Sequence, residues 1–229
     1  MTISKSNEDV IYNIHTFDID EKNRELYLHP YIESSSEADE EYGSYVDFRC
    51  AVSFTKNLRY LDLLNQEPIL VHMHLPGGNW VDCMGIYDSM KSCKSKLIVI
   101  GYSQVESASS VIFQAADYRI LMPNTYVLIH YGSYGAPASD HPKIVMNSVQ
   151  WNEKESEKMI DIYTEKFMRS PMNKEKQWKK LIAKKHIQSQ LTSKGDWILT
   201  PQEAVYYGFA DGILGDKKFQ NIDHLKKLK

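Results

Sequence analysis

The strongest constraint on this chain is a pair of apolar strands that each run into a tight turn and then a helix. Leu70-Val71-His72-Met73-His74-Leu75 alternates as a strand and stops at Pro76-Gly77-Gly78, with a helix expected from Asp82 to Ser92. Leu97-Ile98-Val99-Ile100 runs through Gly101-Tyr102-Ser103 to Ser107, which opens a helix reaching Asp117. Short apolar runs bounded by Gly and Pro and separated by helical stretches specify an α/β fold. A longer helix from Val46 to Leu64 precedes them, and Pro123-Asn124 introduces the strand Thr125-Tyr126-Val127-Leu128-Ile129. At 229 residues and 42% hydrophobic content the chain can bury one sizeable core, and nothing suggests a second domain of comparable size.

Composition excludes several function classes. A net charge of −3 with Lys and Arg scattered in short runs offers no basic field for nucleic acid. The last such run, Lys226, Lys227 and Lys229, reads as a solvated end. Cys50, Cys83 and Cys93 lack metal-ligand spacing and leave an odd thiol, so neither a metal site nor a disulfide framework is expected, and a reducing, cytoplasmic compartment is. The first eight residues contain no apolar signal core, and no apolar run approaches the ~18 residues that span a bilayer, which disfavours secretion and membrane insertion.

Three residues have local settings suited to acyl transfer. Ser107 stands where a buried strand turns into a helix, so that helix N-terminal amides face its hydroxyl. His130 ends the strand after Pro123-Asn124, a rigid position for a general base. Asp196 sits between Lys194-Gly195 and Trp197-Ile198-Leu199, where it can accept the second N–H of the imidazole and fix its tautomer. Gly77 and Gly78 leave backbone open to close approach, and the amides of Gly78 and Ala108 are candidates for an oxyanion hole. This chemistry needs no metal and no organic cofactor.

Pro76-Gly77-Gly78, Ile86-Tyr87-Asp88-Ser89-Met90, Ser107 with its helix, Met122-Pro123-Asn124 through Ile129-His130, and Glu203-Ala204-Val205-Tyr206-Tyr207-Gly208-Phe209-Ala210-Asp211 follow one another in an order that resembles the ClpP family, the proteolytic subunits of the ATP-dependent Clp protease. The resemblance runs from about Asn23 to about Leu214. It implies a ClpP/crotonase-like spiral of repeated ββα units, a single domain with a protruding handle helix. Residues 1–22 would be an N-terminal arm, 23–215 the peptidase domain and 216–229 a tail. It also implies a serine endopeptidase acting on unfolded proteins or peptides, with Ser107, His130 and Asp196 as its triad and Gly78 and Ala108 as its oxyanion amides. Gly77 and the segment Tyr131, Gly132 and Ser133 would contact substrate, the latter as an added strand. The implied assembly is a homo-oligomeric ring of about seven subunits, stacked in pairs at high concentration, with an AAA+ unfoldase as partner. ATP would be used by that separate protein, because this chain has no Gly-x-x-x-x-Gly-Lys-Ser/Thr loop.

The departures from the family are specific. Glu106 places a carboxylate beside the nucleophile and is expected to point away from the oxyanion. Lys194-Gly195 stands where many members carry the acidic-Arg pair that links two rings, so stacking should be weaker. Leu70 and His72 occupy positions that in the family help form the unfoldase-docking pocket, with aromatics there. Glu33 to Glu41 is an acidic, serine-rich insertion expected to be a solvated loop. Met159, Ile160, Tyr163 and Phe167 fall on one helical face, expected as a handle stripe that packs on another subunit. Two rival readings are a catalytically idle ring subunit and a crotonase-type acyl-CoA enzyme.

Overall fold

The structure is a computed structural model that describes residues 5–30, 45–133 and 141–228. Helix α1 (Lys5–Phe17) leads into β1 (Ile19–Asp20) and β2 (Glu25–Leu28), which pair antiparallel. Then come α2 (Phe48–Leu64), β3 (Ile69–Leu75), α3 (Trp80–Ser92), β4 (Leu97–Glu106) and α4 (Ser107–Phe113). Strands β5 (Tyr118–Leu121) and β6 (Tyr126–Ile129) precede the long α5 (Pro142–Phe167), followed by α6 (Pro171–Lys176) and α7 (Lys180–Lys194). Last are β7 (Trp197–Leu199), α8 (Pro201–Tyr206), β8 (Gly212–Ile213) and α9 (Ile222–Leu225).

Helix starts follow from local chemistry. The Asp47 carboxylate accepts the amides of Arg49 and Cys50 ahead of α2, and Asn79 accepts those of Val81 and Asp82 ahead of α3. Pro142, Pro171 and Pro201 stand in the first turns of their helices, where no amide donor is required.

The sheet runs β1-β2-β3-β4-β5-β8, with β6 added to β4 and β7 to β6. Strand β4 serves two partners along its ten residues: Ile98 to Gly101 pair with β5, and Gln104 to Glu106 pair with β6. Between the two halves Ser103 adopts φ 55°, which swings the strand from one neighbour to the other. All of the pairings except β1 with β2 and β6 with β7 are parallel. The expected α/β spiral of strand, turn and helix units is therefore the fold.

Both faces of the central strands are covered, which is why they read as nearly continuous apolar runs. Ile69, Val71, Met73, Leu97 and Val99 join the main core under the helices. Leu70, Ile98, Ile100 and Ile120 point the other way and form a second cluster with Phe219 and Leu225. Each such side chain withdrawn from water contributes roughly 1.5–3 kcal/mol.

That second cluster corrects the reading of the C-terminus as a solvated end. Phe219 and Leu225 are buried, and Ile222 and Leu228 pack beside them. The ammonium of Lys226 pairs with the Glu25 carboxylate, which also lies 3.0 Å from His72 Nε2. Burial alone would raise the Glu25 pKa, but the hydrogen bonds from His72 and Lys226 outweigh it and bring it to about 2. His72 in turn stacks on Tyr27 at 4.9 Å and lies 2.8 Å from the Tyr102 hydroxyl. Leu70 and His72 are thus buried within the chain itself.

The handle stripe is corrected as well. Met159, Ile160, Tyr163 and Phe167 are 5%, 2%, 0% and 0% exposed and belong to the main core. The apolar residues that α5 does expose lie in its first half, at Ile144, Met146, Val149 and Trp151. Within the N-terminal arm Lys5–Phe17 form helix α1, and the boundary drawn at residue 23 falls in the turn between the paired strands β1 and β2. Lys194 stands 5.6 Å over the Trp197 ring, so within the chain it serves as a cap on an aromatic. Glu33 to Glu41 lies outside the described residues. Cys50, Cys83 and Cys93 are free thiols, and burial pushes the Cys50 thiol up to about 12. No helix among the described residues is long and apolar enough to cross a membrane.

Candidate active site

Strand register brings the predicted residues together. In the parallel pairing of β4 with β6, Glu106 stands opposite Leu128, so the residues just beyond each strand end, Ser107 and His130, emerge on one edge. In the antiparallel pairing of β6 with β7, Ile129 stands opposite Trp197, which sets His130 across from Asp196. The side chains meet accordingly: His130 Nε2 is 2.7 Å from Ser107 Oγ, and His130 Nδ1 is 3.1 Å from Asp196 Oδ1. With Nδ1 protonated and held by the carboxylate, Nε2 is left to accept the serine proton. Asp196 is 62% exposed, so water shares its carboxylate with the imidazole.

Ser107 has φ 53°, a left-handed conformation that costs a residue with a Cβ about 1–3 kcal/mol. This strained turn converts the end of β4 into the start of α4 within a single residue and lifts the hydroxyl out of the sheet edge. Ala108 follows in the first helical turn, where amides have no partner within the helix.

The Pro76-Gly77-Gly78 turn closes on the nucleophile from the other side. A Cβ on Gly77, at φ 105°, would come within 2.7 Å of Ser107 Cβ. One on Gly78, at φ 150°, would reach the Val46 backbone at 2.4 Å. Only glycine fits at either position. Val46 N–H donates to the Gly77 carbonyl at 2.8 Å, and its own carbonyl accepts from Asn79 N–H at 2.9 Å, so the residues flanking the Gly78 amide are pinned.

These elements surround a cleft of about 860 Å³. Ser107, Ala108, Gly78, His130, Asp196, Tyr131, Gly132 and Ser133 all line it, while Gly77 lies behind Ser107. The rest of the glycine-punctuated stretch, from Tyr134 to Pro137, falls outside the described residues. Glu106 also lines the cleft, with its carboxylate taken by the Tyr126 hydroxyl on the neighbouring strand. That hydrogen bond raises the Tyr126 phenol pKa.

Sequence reasoning missed one wall. Trp151, Asn152, Glu155, Ser156 and Met159 of α5 line the cleft together with Trp80, and Trp151 Nε1 donates to the Glu155 carboxylate at 2.6 Å. The polar and apolar positions of α5 carry no signature of a site, because only its packing on α4 and α7 decides which face looks into the cleft. Among the described residues there is no cluster of His, Cys, Asp and Glu that could hold a metal ion.

Comparison with known proteins agrees with this architecture. The chain is similar to ATP-dependent Clp protease proteolytic subunit 2 of Pseudomonas aeruginosa, at 27% identity over 173 residues, covering 74% of this chain and 77% of the relative. It is similar to the ATP-dependent Clp protease proteolytic subunit of Deinococcus radiodurans, at 28% over 177 residues, with 75% and 78% covered. A solved structure of a ClpP1 mutant from Listeria monocytogenes superposes with a TM-score of 0.67 at 20% identity, covering 90% of this chain and 96% of that one, and so shares the fold. A model of the Clp protease family matches residues 35–217, most of the chain, and on that span this protein belongs to the Clp protease family.

Proposed function

We propose that the chain is a serine endopeptidase subunit that cleaves peptide bonds of unfolded proteins or peptides. The observation that carries this reading is the continuous contact from Ser107 Oγ through His130 to Asp196, at 2.7 and 3.1 Å, beside the Gly78 and Ala108 amides. Ser107 Oγ attacks the scissile carbonyl carbon as His130 Nε2 takes its proton. The carbonyl oxygen, now negative, is held by the two amides. Collapse breaks the C–N bond, and the proton on Nε2 passes to the leaving amine. Water then repeats the sequence on the acyl-enzyme, with His130 again as base, and frees Ser107. Substrate backbone would lie along Tyr131, Gly132 and Ser133 as an added strand, which favours broad sequence acceptance.

The same reading includes a homo-oligomeric ring of about seven subunits. Its apolar contacts would involve Ile144, Met146 and Val149 on α5 rather than the buried Met159 stripe. An AAA+ unfoldase remains part of the proposal, although Leu70 packs against the chain's own C-terminal Phe219 and Leu225 and His72 is held by Glu25, Tyr27 and Tyr102.

A serine-directed fluorophosphonate separates this reading from its rivals. The expected result is stoichiometric labelling of Ser107 together with hydrolysis of an unstructured peptide. An inert protein would leave an idle ring subunit or a crotonase-type enzyme as the better account.

The cleft also bears on which peptides are cut. Glu106, Glu155 and Asp196 line it beside the rings of Trp80, Tyr131 and Trp151, and among the described residues its lining includes no Lys or Arg. Carboxylates next to aromatic faces favour a cationic side chain on an apolar stem. Peptides with Lys or Arg next to the scissile bond should be cleaved about tenfold faster, in kcat/KM, than matched peptides with Glu there, a difference of ~1.4 kcal/mol. Equal rates for the two series would show that the acidic lining does not face the substrate.

A further inference from the structure

Two more serines follow the nucleophile in α4, and both are buried to 0% exposure. Ser109 Oγ accepts the Glu106 amide at 2.9 Å and lies 2.7 Å from the carbonyls of both Leu75 and Glu106. Leu75 is the last residue before the Pro76-Gly77-Gly78 turn, and Glu106 is the last before Ser107. One hydroxyl therefore joins the two strand ends from which the oxyanion turn and the nucleophile emerge. Ser110 Oγ donates to the Ser107 carbonyl at 2.6 Å and lies 2.5 Å from the Tyr163 hydroxyl. Because the single Ser110 proton is used on Ser107, Tyr163 is the donor in that second contact. Tyr163 is fully buried in α5, the helix whose Trp151, Glu155 and Met159 line the cleft.

We propose that Ser109, Ser110 and Tyr163 are positioning residues: they hold the strained nucleophile in fixed relation to the oxyanion turn on one side and to the cleft wall of α5 on the other. Stability alone does not call for the Ser110–Tyr163 pair. Burying a hydroxyl costs about 1–3 kcal/mol unless it is hydrogen-bonded, and a made bond returns a net contribution of only about 1 kcal/mol. Apolar residues replacing Ser110 and Tyr163 together would fill the same space without that cost, whereas Ser109 also satisfies the Glu106 amide. The Ser107 carbonyl, moreover, stands in a helix where a backbone amide one turn on is its usual partner. What the hydroxyls add is direction. Ser107 sits in a left-handed conformation that its surroundings must impose, and displacement of a reacting atom by about 1 Å can cost on the order of 10²-fold in rate.

This inference rests on the peptidase reading, and its test keeps the two apart. Purified wild-type protein, Tyr163→Phe, Ser110→Ala, the double variant and Ser109→Ala are compared for kcat and KM on an unstructured fluorogenic peptide, for fluorophosphonate labelling rate and for Tm. Tyr163→Phe keeps the ring and its packing, so it carries the test even if an alanine variant folds poorly. The expected results are a kcat lowered about 5- to 20-fold in Tyr163→Phe with KM within twofold, and a labelling rate that falls in step. The double variant should be no slower than Ser110→Ala alone, because both substitutions break one relay. Ser109→Ala should lose about 10- to 100-fold in kcat. A wild type that neither hydrolyses nor labels would overturn the peptidase reading and this inference with it. An active wild type whose Tyr163→Phe and Ser109→Ala variants, folded by Tm, keep kcat within twofold would overturn the positioning role alone.

Discussion

Replacing Ser107 by Ala is expected to lower peptide hydrolysis by on the order of 10⁶-fold, the loss seen when a triad nucleophile is removed while its oxyanion donors remain. The fold should survive, since the hydroxyl faces the cleft and takes no part in the core. The left-handed φ of 53° adds a second arm to the experiment. Alanine keeps the Cβ and the strain, whereas Ser107→Gly removes both and should be about 1 kcal/mol more stable than Ser107→Ala while equally inactive. Peptide hydrolysis and thermal unfolding of the two variants are the measurements. Undiminished hydrolysis by Ser107→Ala would remove Ser107 from the chemistry.

The other large effect is expected at Asp196. Asp196→Asn preserves shape but presents an amide to His130 Nδ1, favouring the tautomer in which Nε2 carries the proton and cannot accept one from Ser107. A buried aspartate in such an arrangement is worth on the order of 10⁴ in kcat. Here the carboxylate is 62% exposed, and water reaching His130 can replace part of its role, so about 10³- to 10⁴-fold is expected. The loss should appear in kcat, with KM changed little. A decrease below about tenfold would show that the imidazole is oriented by something else.

The strand-turn-helix units and the candidate site residues are legible in the sequence for a common reason. Leu97 to Ile100, Pro76-Gly77-Gly78 and the strand ending at His130 are local patterns, and their chemistry depends on what stands next to them in the chain. The α5 stripe was misjudged because periodicity shows that Met159, Ile160, Tyr163 and Phe167 share a face but not what that face meets. It meets the chain's own core. The C-terminal segment was misjudged for a related reason: Lys226, Lys227 and Lys229 dominate its composition, yet Phe219 and Leu225 decide its placement by packing on residues more than a hundred positions away, such as Leu70 and Ile98. Ser109, Ser110 and the α5 wall of the cleft carried no signal, because serine near a helix start is ordinary and a helix shows its contacts only once it is docked.

The register of β6 sets the terms on which this chain can change length. Side chains alternate along a strand with period two, so deleting or adding one residue between Tyr126 and Ile129 would turn His130 to the opposite face and part it from Ser107 and Asp196 together. Residues 65–68 lie between α2 and β3, where added length leaves each pairing untouched. Lineages of this chain are therefore expected to differ by insertions and deletions between elements while holding β6 at one length, and a scan of single-residue deletions should find its sharpest loss of function there.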